Sequence, residues 1–158
     1  MSDTIRERII SAIVSRLAAI TIANGYNTDM GNSVFRVQHK LDPGDLPACV
    51  VWPRTEEADR NYGKQICVMP VRIEGLAVCI SYTPLDNFSV VSEKILGDMI
   101  RCICGGTLAQ VTGGLADDVK YTGGGTDEYP DAGETTVGAS AVFDIGYKYL
   151  SGDPYSQS

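Results

Sequence analysis

The run VGASAVFDIGYKYL constrains the fold of this chain more than any other stretch. Val137, Ala139, Ala141, Phe143, Ile145, Tyr147 and Tyr149 take every second position, with Gly138, Ser140, Asp144, Gly146 and Lys148 between them. A period of two is that of a β-strand with one apolar face. Over 137–149 such a strand is about 43 Å long at full extension, longer than two short helices can cover. The odd face is expected to bury Phe143 against helices. Gly138, Ser140 and Gly146 leave the even face flat, open to approach by another surface.

The helices are legible upstream. In DTIRERIISAIVSRLAAITIANG, Thr4 and Glu7 stand at capping-box spacing, and Ile5, Ile9, Ile13 and Leu17 recur every fourth residue. The spacing predicts a helix that ends between Ala19 and Asn24. A second helix is predicted over FSVVSEKILGDMIRCICGG, capped by Asn87 or Ser89, with Val91, Ile95, Leu96, Met99, Ile100 and Ile103 on its apolar face. Gly105 and Gly106 end it.

Between them, SVFRVQH and the proline-bounded ACVVWP read as strands. QICVMPVRIEGLAVCISY reads as a long one, with Cys67, Met69, Val71, Ile73, Ala77 and Cys79 on its core side. Pro70 cannot donate to a ladder and Gly75 weakens one, which predicts an edge position or a bulge. The polar RTEEADRNYGK reads as the exposed connection of a hairpin. The expected architecture is one α+β domain over 1–150, with a flexible tail at 151–158. Two helices pack on one face of a mostly antiparallel, or mixed, sheet of about five strands, with one long C-terminal strand.

Charge narrows the function. A net charge of −7 and the lack of any Lys/Arg cluster argue against sequence-specific nucleic-acid binding, yet suit a surface past which a polyanion slides. The charged N-terminal segment and the lack of a long apolar run predict a protein made and kept in a cytoplasm. Five cysteines, Cys49, Cys67, Cys79, Cys102 and Cys104, four of them within apolar runs, are expected to be reduced structural thiols.

Signals for chemistry are weak. His39 is the sole histidine and has no ligand-spaced neighbours. Cys102 and Cys104 point about 200° apart on a helix, so they share neither metal nor disulfide. The loop TGGGTDEYPDAGE lacks the Lys-Ser/Thr and the helix of a phosphate loop, and Asp127, Glu128, Asp131 and Glu134 would repel phosphate. It matches no EF-hand spacing, and Asp117, Asp118, Asp127 and Glu128 carry no sign of a buried acid pair. The expectation is a non-enzyme without cofactor or metal.

TIRERIISAIVSRLA, VFR, LPACVVWP, MPVRIEGL, SEKILGDMI and, above all, LADDVKYTGGGTDEYPDAGETTVGASAVFDIGYKYLSGDPY together resemble the tail terminator proteins of long-tailed bacteriophages and prophages. These are also called tail completion or minor tail proteins. The resemblance spans nearly the whole chain and rests on loose patterns with no catalytic signature. It implies a subunit that forms a ring, often a hexamer, at the head-proximal end of the tail tube. Its partners would be its own copies, the major tail-tube protein and a head-connector protein, with DNA passing through the lumen. Its place would be the tail of the virion, assembled in the bacterial cytoplasm.

On that reading the interface residues are Arg54, Glu56, Glu57, Asp59 and Arg60 of the hairpin connection, with Gly138, Ser140 and Gly146 on the even face of the last strand. Two alternatives stand beside it. One is a small α+β ligand-binding module or enzyme that uses the 122–134 loop; the other is a tube or connector subunit rather than the terminator.

Overall fold

A computed structural model describes residues 2–79, 83–84, 86–131 and 133–158. Among these the chain forms three α-helices and a seven-stranded mixed sheet, where the sequence predicts two helices and about five strands. The helices are α1 (Ile5–Leu17), α2 (Phe88–Cys104) and α3 (Leu108–Thr112). The strands are β1 (Val34–Arg36), β2 (Ala48–Pro53), β3 (Glu57–Asn61), β4 (Lys64–Val78), β5 (Ala116–Gly125), β6 (Thr136–Leu150) and β7 (Asp153–Gln157).

The order is β1-β2-β4-β6-β5, with β3 beside β4 and β7 beside β6. Its spine is the antiparallel β4–β6 ladder, which runs without a register shift from Lys64 opposite Leu150 to Val78 opposite Thr136. The period-two reading of β6 holds: Val137, Ala139, Ala141, Phe143, Ile145 and Tyr147 are all buried. They share one core with Ile5, Ile9, Ile13 and Leu17 of α1 and Ile95, Met99 and Ile103 of α2. This is the helix face of the sheet; the even residues of β4 and β6 form the other, open face.

Thr4 caps α1 by accepting from the Glu7 amide. The Glu7 carboxylate does not close the box. It accepts two bonds from Arg36 instead, at 2.5 and 2.7 Å. The helix stops at Leu17, short of the predicted end, and a single tight turn at Ile22–Asn24 precedes Gly25 in the left-handed region. Asn87 caps α2 as expected. The sequence pattern predicts no helix at α3, although Thr107 and Gln110 form a complete capping box at its start.

β4 is central, not an edge, despite Pro70 and Gly75. The Pro70 carbonyl accepts from the Arg54 amide at 2.9 Å, so the side of Pro70 that lacks an N–H faces the break between β2 and β3. Pro53 pairs with Val71 and Glu57 with Val68, which leaves one extra residue on the β2–β3 side. The bulge predicted for β4 lies in its neighbour, where a missing donor costs no ladder bond. At Gly75 a Cβ would fall against Ile95 Cγ2 and within 2.7 Å of Met30 Sδ. Glycine here lets α2 lie close on the sheet.

Two further expectations are corrected. The stretch 54–64 is not a free connection: β3 pairs residue by residue with β4 through the two-residue turn Tyr62-Gly63. The segment 151–158 is not a loose tail, because β7 pairs with the end of β6. The predicted continuation of β4 through residues 80–82, and position 132 of the acidic loop, lie outside the described residues.

Candidate functional site

The β4–β6 ladder outruns the helices. Fifteen residues of strand reach about 45–50 Å, whereas α2, with seventeen residues, spans about 25 Å. At one end of the ladder the β3–β4 hairpin forms an arm, with α1 reaching its base through Arg6. All five residues of β3 are exposed, and Tyr62 at its tip is 98% exposed. Tyr62 (φ 50°) and Gly63 (φ 77°) are both left-handed, as a two-residue type I′ hairpin turn requires.

Pairing fixes which side chains share a face. Asp59 stands opposite Ile66 and Glu57 opposite Val68. Across the spine Lys148 stands opposite Ile66 and Gly146 opposite Val68. The arm's open face is therefore two exposed apolar side chains, Ile66 and Val68, with a row of acids along one side and Lys148 on the other. Arg60 lies opposite Gln65, on the helix face with Ala58.

The eight predicted interface residues divide accordingly. Glu57, Asp59 and Arg60 lie on the exposed β3 strand. Gly138, Ser140 and Gly146 lie on the open face, but they do not make one flat surface. A Cβ at Gly138 would meet Leu76 Cδ2 at 2.8 Å, and its carbonyl already accepts from Thr126 Oγ1. Ser140 shares an open hollow of about 210 Å³ with Arg72, Glu74 and Asp127. Gly146 remains accessible between Val68 and Asp118. At the β2 end, His39 sits edge-on to Trp52, with ring centroids 4.8 Å apart.

Arg54 is exposed, as expected, whereas Glu56 is not. Far from standing on a solvated loop tip, Glu56 turns inward at the bulge. Its Oε1 accepts from the Tyr147 hydroxyl at 2.6 Å and from Arg6 Nη1 at 2.7 Å. Arg6 Nη2 donates to the Arg54 carbonyl at 2.6 Å. Burial alone would raise the Glu56 carboxyl, but bonds from Tyr147, Cys67 and Arg6 more than offset it and hold it below its ordinary 4.5. The same burial, with Glu56 adjacent, pushes the Cys67 thiol up to about 11 and the Tyr147 phenol well above its usual range. This network ties the start of α1 to β6 exactly where the arm leaves the body, and nothing in the sequence spacing announces it.

Among the described residues four strands have one neighbour each: β1 and β3 on one margin of the sheet, and β5 and β7 on the other. β5 absorbs 122–125, so the predicted lid loop shortens to 126–135. Together with Gly138, loop residues Glu128, Tyr129, Asp131 and Glu134 line a second open hollow, of about 340 Å³. Among the described residues no three His, Cys, Asp or Glu side chains gather as metal ligands, and no helix is long and apolar enough to cross a membrane. Cys49, Cys67, Cys79 and Cys102 are buried, and Cys104 is exposed.

No protein-family model matches the chain, and no curated protein matches it.

Proposed function

We propose that the chain is a structural subunit of a long-tailed bacteriophage or prophage particle. Its copies close into a ring at the head-proximal end of the tail tube, ending tube growth and offering the head connector a docking surface. The observation that carries the reading is the sheet's shape. An exposed polar arm stands at one end of the sheet, and strands with a free edge at both margins give a subunit two different patches, as a head-to-tail ring requires. The net charge of −7 suits a lumen through which DNA moves without sticking.

Complementation of a terminator-deficient phage tests this reading. The wild-type protein is expected to appear as rings by negative-stain electron microscopy and to stop polymerisation of its tail-tube partner. Glu57→Arg with Arg60→Glu, both exposed, should leave the fold intact and give tails of uncontrolled length, or tails that never join heads. A wild-type protein that neither forms rings nor limits tube length overturns the proposal. Open-ended tubes of the protein itself would move it from the tube's end to its wall.

A further inference from the structure

Resting on the ring reading, we infer how neighbouring copies join: β5 of one copy adds, antiparallel, to the free edge of β3 of the next, with Lys120 opposite Asp59. Strand direction permits it. β3, β4, β6 and β5 are successively antiparallel, so a β3 beyond β5 continues the alternation. Face does too, because Asp59 and Lys120 each lie on the open face, opposite Ile66 and Asp144 respectively.

Two independent features select the register. The first is a notch. β1 lies outside β2, opposite Cys49 to Val51, so the margin that carries β3 is free only below β2. With Lys120 opposite Asp59, and one extra residue in β5 between Tyr121 and Gly123, Gly125 falls opposite Thr55, so β5 ends in the bulge before it reaches β2. The second is charge. Sliding β5 by two residues, the smallest step that keeps the faces, pairs Lys120 with Glu57 but sets Asp118 against Asp59. The opposite slide leaves Lys120 against Asn61 with no ion pair. Only the chosen register joins unlike charges and opposes none, placing Asp118 across from Asn61, Tyr121 from Ala58 and Val119 from Arg60.

The groups involved are available. Asp59 and Lys120 are exposed, and Lys120 closes no ion pair with Asp144 or any other carboxylate among the described residues. The charges on β3 discourage indiscriminate edge pairing and so act as a filter for a matching strand. The junction offsets each copy's strands from the last, the stagger a sheet needs in order to close on itself.

Asp59→Lys and Lys120→Asp, singly and together, test the inference on the full chain by mass in solution and electron microscopy, with circular dichroism to confirm folding. Each single variant is expected to weaken assembly on the order of tenfold or more, and the double exchange to restore it. In a Cys104→Ser background, Asn61→Cys with Asp118→Cys should give disulfide-linked dimers and ladders under copper-catalysed air oxidation. Rings that form equally in all charge variants and yield no such cross-link overturn the β5–β3 junction and leave the ring reading standing. A wild-type chain that stays monomeric, even with tube ends present, overturns both.

Discussion

The Tyr147 hydroxyl and Arg6 Nη1 converge on a single oxygen, Oε1 of Glu56, at 2.6 and 2.7 Å. Glu56 belongs to the bulge between β2 and β3, Tyr147 to the long strand β6, and Arg6 to the first turn of α1. One carboxylate thus fixes the root of the arm against two other elements.

Removing the hydroxyl with Tyr147→Phe should cost about 1.5–3 kcal/mol, the range for a bond to a charged group. Glu56→Ala should cost more, because it strands both the phenol and the Arg6 guanidinium. Urea unfolding of the three proteins checks the order. Equal stabilities would mean that the network is incidental.

Stability should depend on pH at both ends. The folded Glu56 carboxyl lies below its ordinary 4.5, so its contribution is complete above that value and is lost as pH falls through the lower, folded one. Glu7, held down chiefly by Arg36, adds to the same acid limb. Cys67 rises from 9.0 to about 11, mainly through burial, and Tyr147 also rises. Their contributions are complete below their unfolded values and decline as pH climbs past about 9. Urea midpoints measured across pH should therefore form a plateau, and Glu56→Gln should shrink the acid limb without abolishing it.

Gly75→Ala should destabilise by roughly 1–3 kcal/mol, the usual cost of overpacking, since the new methyl meets Ile95 and Met30. Met30→Ala in the same chain relieves part of the clash, and thermal melting of the pair should show a smaller loss than the sum of the single variants. Additive losses would rule out the contact as the cause.

Tyr62→Asn should raise stability by roughly 0.5–1 kcal/mol, because Asn tolerates the left-handed conformation that Tyr62 adopts at φ 50°. The side chain is almost wholly exposed, so no packing is lost. A lower melting temperature would show that the ring makes a contact which exposure alone does not reveal.

Legibility followed the strength of the period. β6 could be read because burial on one face imposes strict alternation, and α1 and α2 because their apolar positions and the caps Thr4 and Asn87 agree. β3 could not: both its faces are exposed, so EADRN carries no alternation and resembles a loop. α3 is too short for a period, and only its Thr107–Gln110 box marked it. β7 is held by pairing with β6 rather than by apolar content. Pro70 and Gly75 misdirected the placement of β4 because each penalty is relieved by a neighbour, the first by the bulge at 54–56 and the second by the close approach of α2. Of the predicted interface residues, those on β3 are exposed as expected. Glu56 turned inward because a bulge reverses the side a residue faces, which composition cannot reveal.

The β4–β6 ladder also sets the order in which a newly made chain can find its fold. Its closest pair along the sequence, Val78 and Thr136, is separated by all of α2, α3 and β5, and such distant pairing is slow to form. Until β6 leaves the ribosome, the β4–β6 ladder is unmade and the core residues of β4 lack the apolar face of β6 beside them. A gene cut short anywhere before Leu150 should therefore yield aggregate and not a smaller subunit, so that truncated copies never compete with whole ones.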